Sequence, residues 1–409
     1  MKLTIVNART AGTLGLQAIA IEADGRVRAP IPMAEFSDSS NKTEGETLDV
    51  ASDWISPGGL DLQINGALGL AFPEVRREDL PRLAEICRWL WNAGIDGFAP
   101  TIVTTSIENF QRSLEIFAEF HDSQAREPND KPAAKIIGLH FEGPFLNPAK
   151  RGAHPEEFLQ PLSIDRLDRV LGDRADLVKI VTLAPELDPT GETLGALRDR
   201  GIVASLGHSL ATADEAEAAF ERGATMVTHA FNAMPGLHHR DPGLLGAAIV
   251  DKRVHCGLIA DGKHVCSTML KILLAASSDG LFLVSDALAP LGLPDGVYPW
   301  DDREITVTDG TARLEDGTLS GTTRPLLDGA DNLVQWGICG LERAIDLATH
   351  APRRAVGLAN WDSEPGSAAG LLRWSVAGDG TISRSRLLGM PNAEYIRDRQ
   401  PIGSGRTAI

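Results

Sequence analysis

Glu142, His208, His229, His264 and Asp286 carry side chains suited to holding a metal ion or moving a proton, and each stands at or just past the end of an apolar run. Catalytic zinc commonly takes three protein ligands and leaves a position open. Glu142, His208 and His229 supply a carboxylate and two imidazoles, a donor set that suits one divalent ion per chain, zinc foremost and iron or manganese as alternatives. Asp286 is then free to take a proton from water and return it to a leaving group. His208 or His229 alone reads better as a hydrogen-bonded, half-buried side chain. As a set on different strands they read as a metal site. The four cysteines (Cys87, Cys256, Cys266, Cys339) are scattered with no C-x-x-C pair, so they read as small buried hydrophobes rather than as a disulfide framework or thiolate site.

The elements that must position these residues alternate. Strand-like runs cover 60–64, 97–103, 135–141, 177–183, 202–206, 226–228, 255–259 and 281–285. Helical patterns fall between them at 79–92, 107–120, 193–200, 213–222 and 268–277, and two more helices follow at 328–336 and 341–348. Such alternation predicts an α/β fold, a (β/α)8 TIM-type barrel whose chemistry gathers at the strand C-termini. A doubly wound sheet shares the local pattern, but no G-x-G-x-x-G follows the first strand. Before the barrel, short strands flank the Asp24-Gly25 turn and 37–45 reads as a loop. A second turn, Asp316-Gly317, separates 311–314 from Leu319, and the polar stretch 122–134 reads as a surface loop. The expected division is a small β domain from 1–55 and 355–409 around a catalytic barrel at 56–354.

With 409 residues, 43% of them hydrophobic, the chain is long enough for one large domain and a smaller one. Its net charge of -17 argues against nucleic acid or an anionic membrane surface as partner. No run is long enough to span a bilayer and the first residues read as a strand, so a cytoplasmic location is expected.

Several longer stretches resemble the N-acetylglucosamine-6-phosphate deacetylases of the amidohydrolase superfamily. They are Ile137-Gly-Leu-His-Phe-Glu-Gly-Pro-Phe-Leu-Asn-Pro-Ala-Lys-Arg-Gly-Ala-His154, Ser205-Leu-Gly-His-Ser209, Val227-Thr-His-Ala-Phe-Asn-Ala-Met234, Leu237-His-His-Arg-Asp-Pro-Gly-Leu-Leu-Gly246, Ile259-Ala-Asp-Gly-Lys-His264 and Leu283-Val-Ser-Asp-Ala287. The resemblance runs from about Ile55 to Leu358. It implies a barrel with a small β-sandwich built from both termini, and an amino-sugar phosphate substrate. Glu142, His208 and His229 look like the metal ligands and Asp286 like the general base. His154 looks like the residue that polarises the acetyl carbonyl. Asn232, Ala233, His264 and Arg240 look like the sugar-phosphate contacts, the arginine reaching across a homodimer interface into the neighbouring site.

The chain departs from the broader pattern in three places. Gln63 and Asn65 stand where many amidohydrolases have the H-x-H of a second metal, and Val181-Thr-Leu-Ala-Pro-Glu186 lacks the lysine of binuclear relatives, so a vestigial second position and a single ion are expected. Gly321-Thr-Thr-Arg-Pro325 places Arg324 either in solvent or where it alters specificity. Pro365-Gly-Ser-Ala-Ala-Gly-Leu371 replaces a family motif in the small domain. Two other readings stay open: a deacetylase of N-acetylgalactosamine 6-phosphate or another acylated amino-sugar phosphate, and an inactive barrel serving as a binding or scaffold protein.

Overall fold

The computed structural model describes residues 2–23, 25–36, 45–126, 132–359 and 370–387. Asp24 of the expected turn, 37–44 of the expected 37–45 loop, 127–131 of the expected 122–134 loop and 365–369 of the variant 365–371 motif lie outside the described residues. The chain divides into two units, Gly59–Leu358 and a second made of Met1–Gly58 with Ala359–Ile409.

The larger unit is a barrel of parallel strands in sequential order: β1 (Gly59–Ile64), β2 (Ile95–Val103), β3 (Lys135–Ile136 and Leu139–Glu142), β4 (Val178–Leu183), β5 (Val203–Leu206), β6 (Met226–Val227), β7 (His255–Leu258) and β8 (Leu281–Leu283). Strand β3 breaks at Gly138 (φ +128°), where a Cβ would sit 2.8 Å from that of Lys179. The barrel closes just past the ends of β8 and β1. The Asp286 amide donates to the Gln63 carbonyl at 2.9 Å and the Asn65 amide to the Ala287 carbonyl at 2.6 Å. Closure thus runs through residues marked out for chemistry.

The intervening helices are α1 (Leu80–Asn92), α2 (Ile107–Arg126), α3 (Ile164–Leu171), α4 (Glu192–Asp199), α5 (Ala213–Glu221), α6 (Gly243–Val250), α7 (Ser267–Ala276), α8 (Leu326–Gln335) and α9 (Leu341–Ala348). Each of the first few follows from local sequence. Leu83, Ile86, Cys87 and Leu90 bury one face of α1 at helical spacing. Thr212 and Glu215 form a reciprocal capping box that starts α5. The stretch 122–126, expected in a loop, extends α2 instead: its Gln, Ala and Arg are good helix formers, and Ser123 donates its hydroxyl back to the Phe120 carbonyl at 2.7 Å.

After β8 an antiparallel sheet of four strands (Gly296–Trp300, Arg303–Thr308, Thr311–Leu314, Leu319–Thr322) packs Trp300, Ile305, Val307 and Ala312 against Leu288. In the smaller unit, Leu372–Val376 pairs with Ile382–Arg386 and with Trp54–Ser56, while Leu3–Ala8 pairs with Gln17–Ile21 and Glu46–Asp49. Ile5, Ile19, Ile55, Leu371 and Leu387 share one apolar cluster, so both ends of the chain build this core. Among the described residues, no helix is long and apolar enough to cross a membrane.

Candidate metal centre and active site

Glu142 is the last residue of β3, while His208, His229 and Asp286 stand two to three residues beyond β5, β6 and β8. The latter three have positive φ (+50°, +29° and +49°), a conformation that costs a non-glycine residue of order 1–3 kcal/mol and persists where the surroundings over-determine it. Here these turns place three buried side chains just past the ends of three strands.

Glu142 Oε1 lies 3.2 Å from His208 Nε2 and 3.0 Å from His229 Nε2, and the two Nε2 atoms are 3.0 Å apart. All three residues are buried. His208 donates Nδ1–H to the Lys150 carbonyl at 2.8 Å, which leaves Nε2 as a bare lone pair in the neutral ring. That lone pair faces a carboxylate oxygen, also an acceptor, and a cation among the three atoms resolves the conflict. One divalent ion of the zinc, iron or manganese type fits this donor set. Burial pushes the Glu142 carboxyl up, but the imidazoles of His208 and His229 beside it outweigh this and hold the group well below the usual carboxylate range. For His229, burial is likewise outweighed by Glu142, and its pKa rises.

The strands that carry Glu142, His208 and His229 are tied to one another. His140, two residues before Glu142 on the same face of β3, bonds through Nδ1 to the Leu62 carbonyl (3.0 Å) and through Nε2 to Thr182 Oγ1 (2.7 Å). The hydroxyl chain continues from Thr182 to Thr228 (2.7 Å) and Ser205 (2.6 Å), linking β3 through β6. Glu186, at the end of β4, accepts from Asn147 Nδ2 (2.9 Å), Ser209 Oγ (2.7 Å) and the Leu210 amide (2.6 Å). It therefore clasps the loop that follows β3 to the loop that carries His208.

Asp286 Oδ1 accepts from Asn65 Nδ2 at 2.9 Å and Gln63 Nε2 at 3.3 Å, and the same Gln63 nitrogen donates to Glu142 Oε1 at 3.0 Å. Ionised carboxylates only accept, so both amides present N–H groups to the two carboxylates. Among the described residues, Asp286 Oδ2 takes no hydrogen bond. Burial and the nearby Glu142 charge push the Asp286 carboxyl up to about 7. A carboxyl near neutrality, with one oxygen held and one free, is well matched to proton transfer.

His154 Nδ1 accepts from the Thr104 amide (3.3 Å) and lies 2.9 Å from the Thr104 hydroxyl. An amide can only donate, so the ring proton belongs on Nε2. Burial, followed by the His208 charge, lowers the His154 pKa to about 3, and the ring is a neutral N–H donor.

These groups line a cavity of about 660 Å³ that also takes in Asn232, Ala233 and His264. Asn232 Nδ2 is spent on the His229 and Ala230 carbonyls (3.1 and 3.2 Å). His264 donates Nδ1–H to Asp261 at 2.7 Å, which leaves Nε2 for a ligand. Arg240 is the expected site residue that a single chain does not bring in. It is exposed, outside the cavity lining, and the neighbouring Asp241 pairs with His238 at 3.6 Å instead. Arg324 is exposed too and donates to the Asp309 carbonyl at 2.8 Å, away from the cavity. Thr104, Glu186 and Asp261 were not singled out in the sequence as site residues. Their one signal was position, immediately beyond or near the ends of β2, β4 and β7.

No family model matches the chain. N-acetylglucosamine-6-phosphate deacetylase of Bos taurus is 37% identical over 322 residues, 76% of this chain and 77% of that protein. N-acetylgalactosamine-6-phosphate deacetylase of Escherichia coli O157:H7 is 30% identical over 338 residues, 82% of this chain and 84% of that protein. The crystal structure of N-acetyl-D-glucosamine-6-phosphate deacetylase from Mycobacterium smegmatis superposes with a TM-score of 0.78 at 27% identity, covering 94% of this chain and 98% of that one. With its barrel, its histidine and carboxylate cluster and this extent of similarity, the chain belongs to the N-acetylglucosamine-6-phosphate deacetylase family of amidohydrolases.

Proposed function

We propose that this protein hydrolyses the acetamide of N-acetyl-D-glucosamine 6-phosphate, giving glucosamine 6-phosphate and acetate, with one divalent ion per chain. The observation that carries the reading is the Glu142, His208 and His229 cluster with the Asp286 carboxylate held beside it by the Asn65 and Gln63 side chains. An ion held by those three residues, zinc by preference, supplies Lewis acidity and makes water a nucleophile near neutral pH.

The chain's own groups do the rest. Asp286 takes a proton from water through Oδ2 as the new C–O bond forms. It returns the proton to the amide nitrogen as the C–N bond breaks, so that a neutral amine leaves. His154, neutral and protonated on Nε2, donates to the carbonyl oxygen as it gains charge. Gln63 and Asn65 hold the two carboxylates where a second metal would otherwise be needed, which supports a single-ion reaction. His264 and the Asn232-Ala233 turn bind the sugar phosphate. The exposure of Arg240 supports a homodimer in which it reaches the phosphate of the neighbouring site, where a guanidinium fork suits a phosphate. A location in the cytoplasm is part of the same reading.

A second substrate, N-acetylgalactosamine 6-phosphate, is favoured by the name of the Escherichia coli relative. Acetate release from both epimers tests the choice. Faster turnover of the gluco epimer supports the first reading and faster turnover of the galacto epimer selects the second. Release from neither means that the barrel is a binding protein.

A further inference from the structure

The cavity extends past the residues described so far. Asn232 and His264 enter it beyond β6 and β7; beyond β1 and β2, across the barrel mouth, it is lined by Arg76, Arg112, Glu74, Asn109 and Thr105. The charges there are poorly balanced. Other arginines of this region pair with carboxylates, Arg77 with Glu119 at 2.8 Å and Arg82 with Glu85 at 3.0 Å. Arg76 has no ion pair among the described residues. Arg112 is half-buried on α2 and meets only neutral acceptors: the Val75 carbonyl from Nε (3.1 Å), the Pro73 carbonyl from Nη2 (3.0 Å) and the Asn109 side chain from Nη1. These bonds fix the guanidinium in place and leave N–H groups unspent. Burial, then the Arg76 charge, lowers the Arg112 pKa, and Glu74 offsets only part of this. In a chain of net charge -17, two guanidiniums on one cavity wall, in no ion pair among the described residues and with Glu74 as the carboxylate on that wall, are a local excess of positive charge.

We propose that Arg76 and Arg112 form an anion subsite on the β1–β2 side of the cavity. It takes a second acidic substituent, carboxylate or phosphoryl, of an N-acetylated amino-sugar phosphate whose first phosphate lies on the β6–β7 side. The proposal rests on the reaction proposed above and extends it to doubly acidic substrates.

The test compares kcat/KM for acetate release from N-acetylglucosamine 6-phosphate, its 3-O-carboxyethyl ether and its 1,6-bisphosphate, in the metal-loaded wild type and in Arg76→Gln. Arg76 is exposed, so this variant avoids the backbone that Arg112 supports. The specificity ratio of at least one doubly acidic substrate over the simple phosphate is expected to fall about tenfold in the variant, and which compound responds identifies the substituent. An unchanged ratio for both overturns the subsite, because the charge then acts on all substrates alike or on none. If no compound releases acetate, the reaction is what has failed. Calorimetric binding of the two doubly acidic compounds then decides the subsite: about tenfold weaker binding of either in Arg76→Gln supports it, and equal affinities overturn it.

Discussion

Asn65 donates its side-chain amide to the Asp286 carboxylate at 2.9 Å, across a sequence separation of 221 residues. The bond sits at the seam where β8 meets β1, so the closure of the barrel and the orientation of the proposed base are one feature. It also favours the ionised carboxylate and works against the burial that raises its pKa. Replacing Asn65 by Leu is expected to move the acid limb of the kcat/KM profile to higher pH and to lower turnover at neutral pH about tenfold. In the wild type, activity is expected to fall as the pH drops through this limb, because the proposed base is then protonated. A limb that stays in place in Asn65→Leu removes this bond from the account.

Metal content is a second test. The amides of Gln63 and Asn65 donate to the Glu142 and Asp286 carboxylates, which in the proposed single-ion reaction replaces a second cation. Freshly purified protein is expected to hold one equivalent of divalent metal per chain by elemental analysis. Two equivalents contradict the single-ion reading.

Glu186 yields a prediction about affinity. Its carboxylate joins Asn147, Ser209 and Leu210, and the Asn147 amide bonds the His208 carbonyl at 2.9 Å. Glu186→Ala is expected to weaken metal binding by about 10–100-fold in a chelator competition, as removal of outer partners of a ligating histidine typically does. Circular dichroism should show the fold retained, and unchanged affinity would mean that the clasp is dispensable.

Asp61 links the site to stability. It is 1% exposed, accepts from the Gln63 and Ser285 amides (3.3 and 3.1 Å), and burial raises its pKa from 3.8 to about 6. The folded state holds the proton more tightly than the unfolded state. Its contribution is therefore fully present below about pH 4 and is lost as the pH rises through about 6, a change of about 3 kcal/mol. Asp61→Asn keeps the acceptor and removes the charge. Chemical denaturation of the metal-free protein should find the variant more stable than wild type at pH 8 and nearly equal to it at pH 4; a variant less stable at pH 8 contradicts this.

Much of the barrel was legible in the sequence because strand ends carry the chemistry. Glu142, His208, His229 and Asp286 each follow an apolar run, and the structure brings the first three within contact. What stayed hidden depends on distant partners. The tautomer of His154 is set by Thr104, and the role of Glu186 by three residues on two other loops. The strands 296–300 and 303–308 were missed because Pro299 and the short alternating runs give a weak local signal. The helix to Arg126 was missed because polar residues there read as a loop, although their helix propensity is good. Arg240 shows a different limit: its motif marks it for the phosphate, yet one chain leaves it exposed.

The central claim, that Asp286 moves the proton while Glu142, His208 and His229 hold the ion, is tested most directly by measuring metal content and acetate release together in Asp286→Asn. The account predicts about one equivalent of metal per chain, as in the wild type, with turnover lowered at least 10²-fold, the scale of general acid–base catalysis. Near-wild-type turnover in a metal-replete Asp286→Asn enzyme would contradict it.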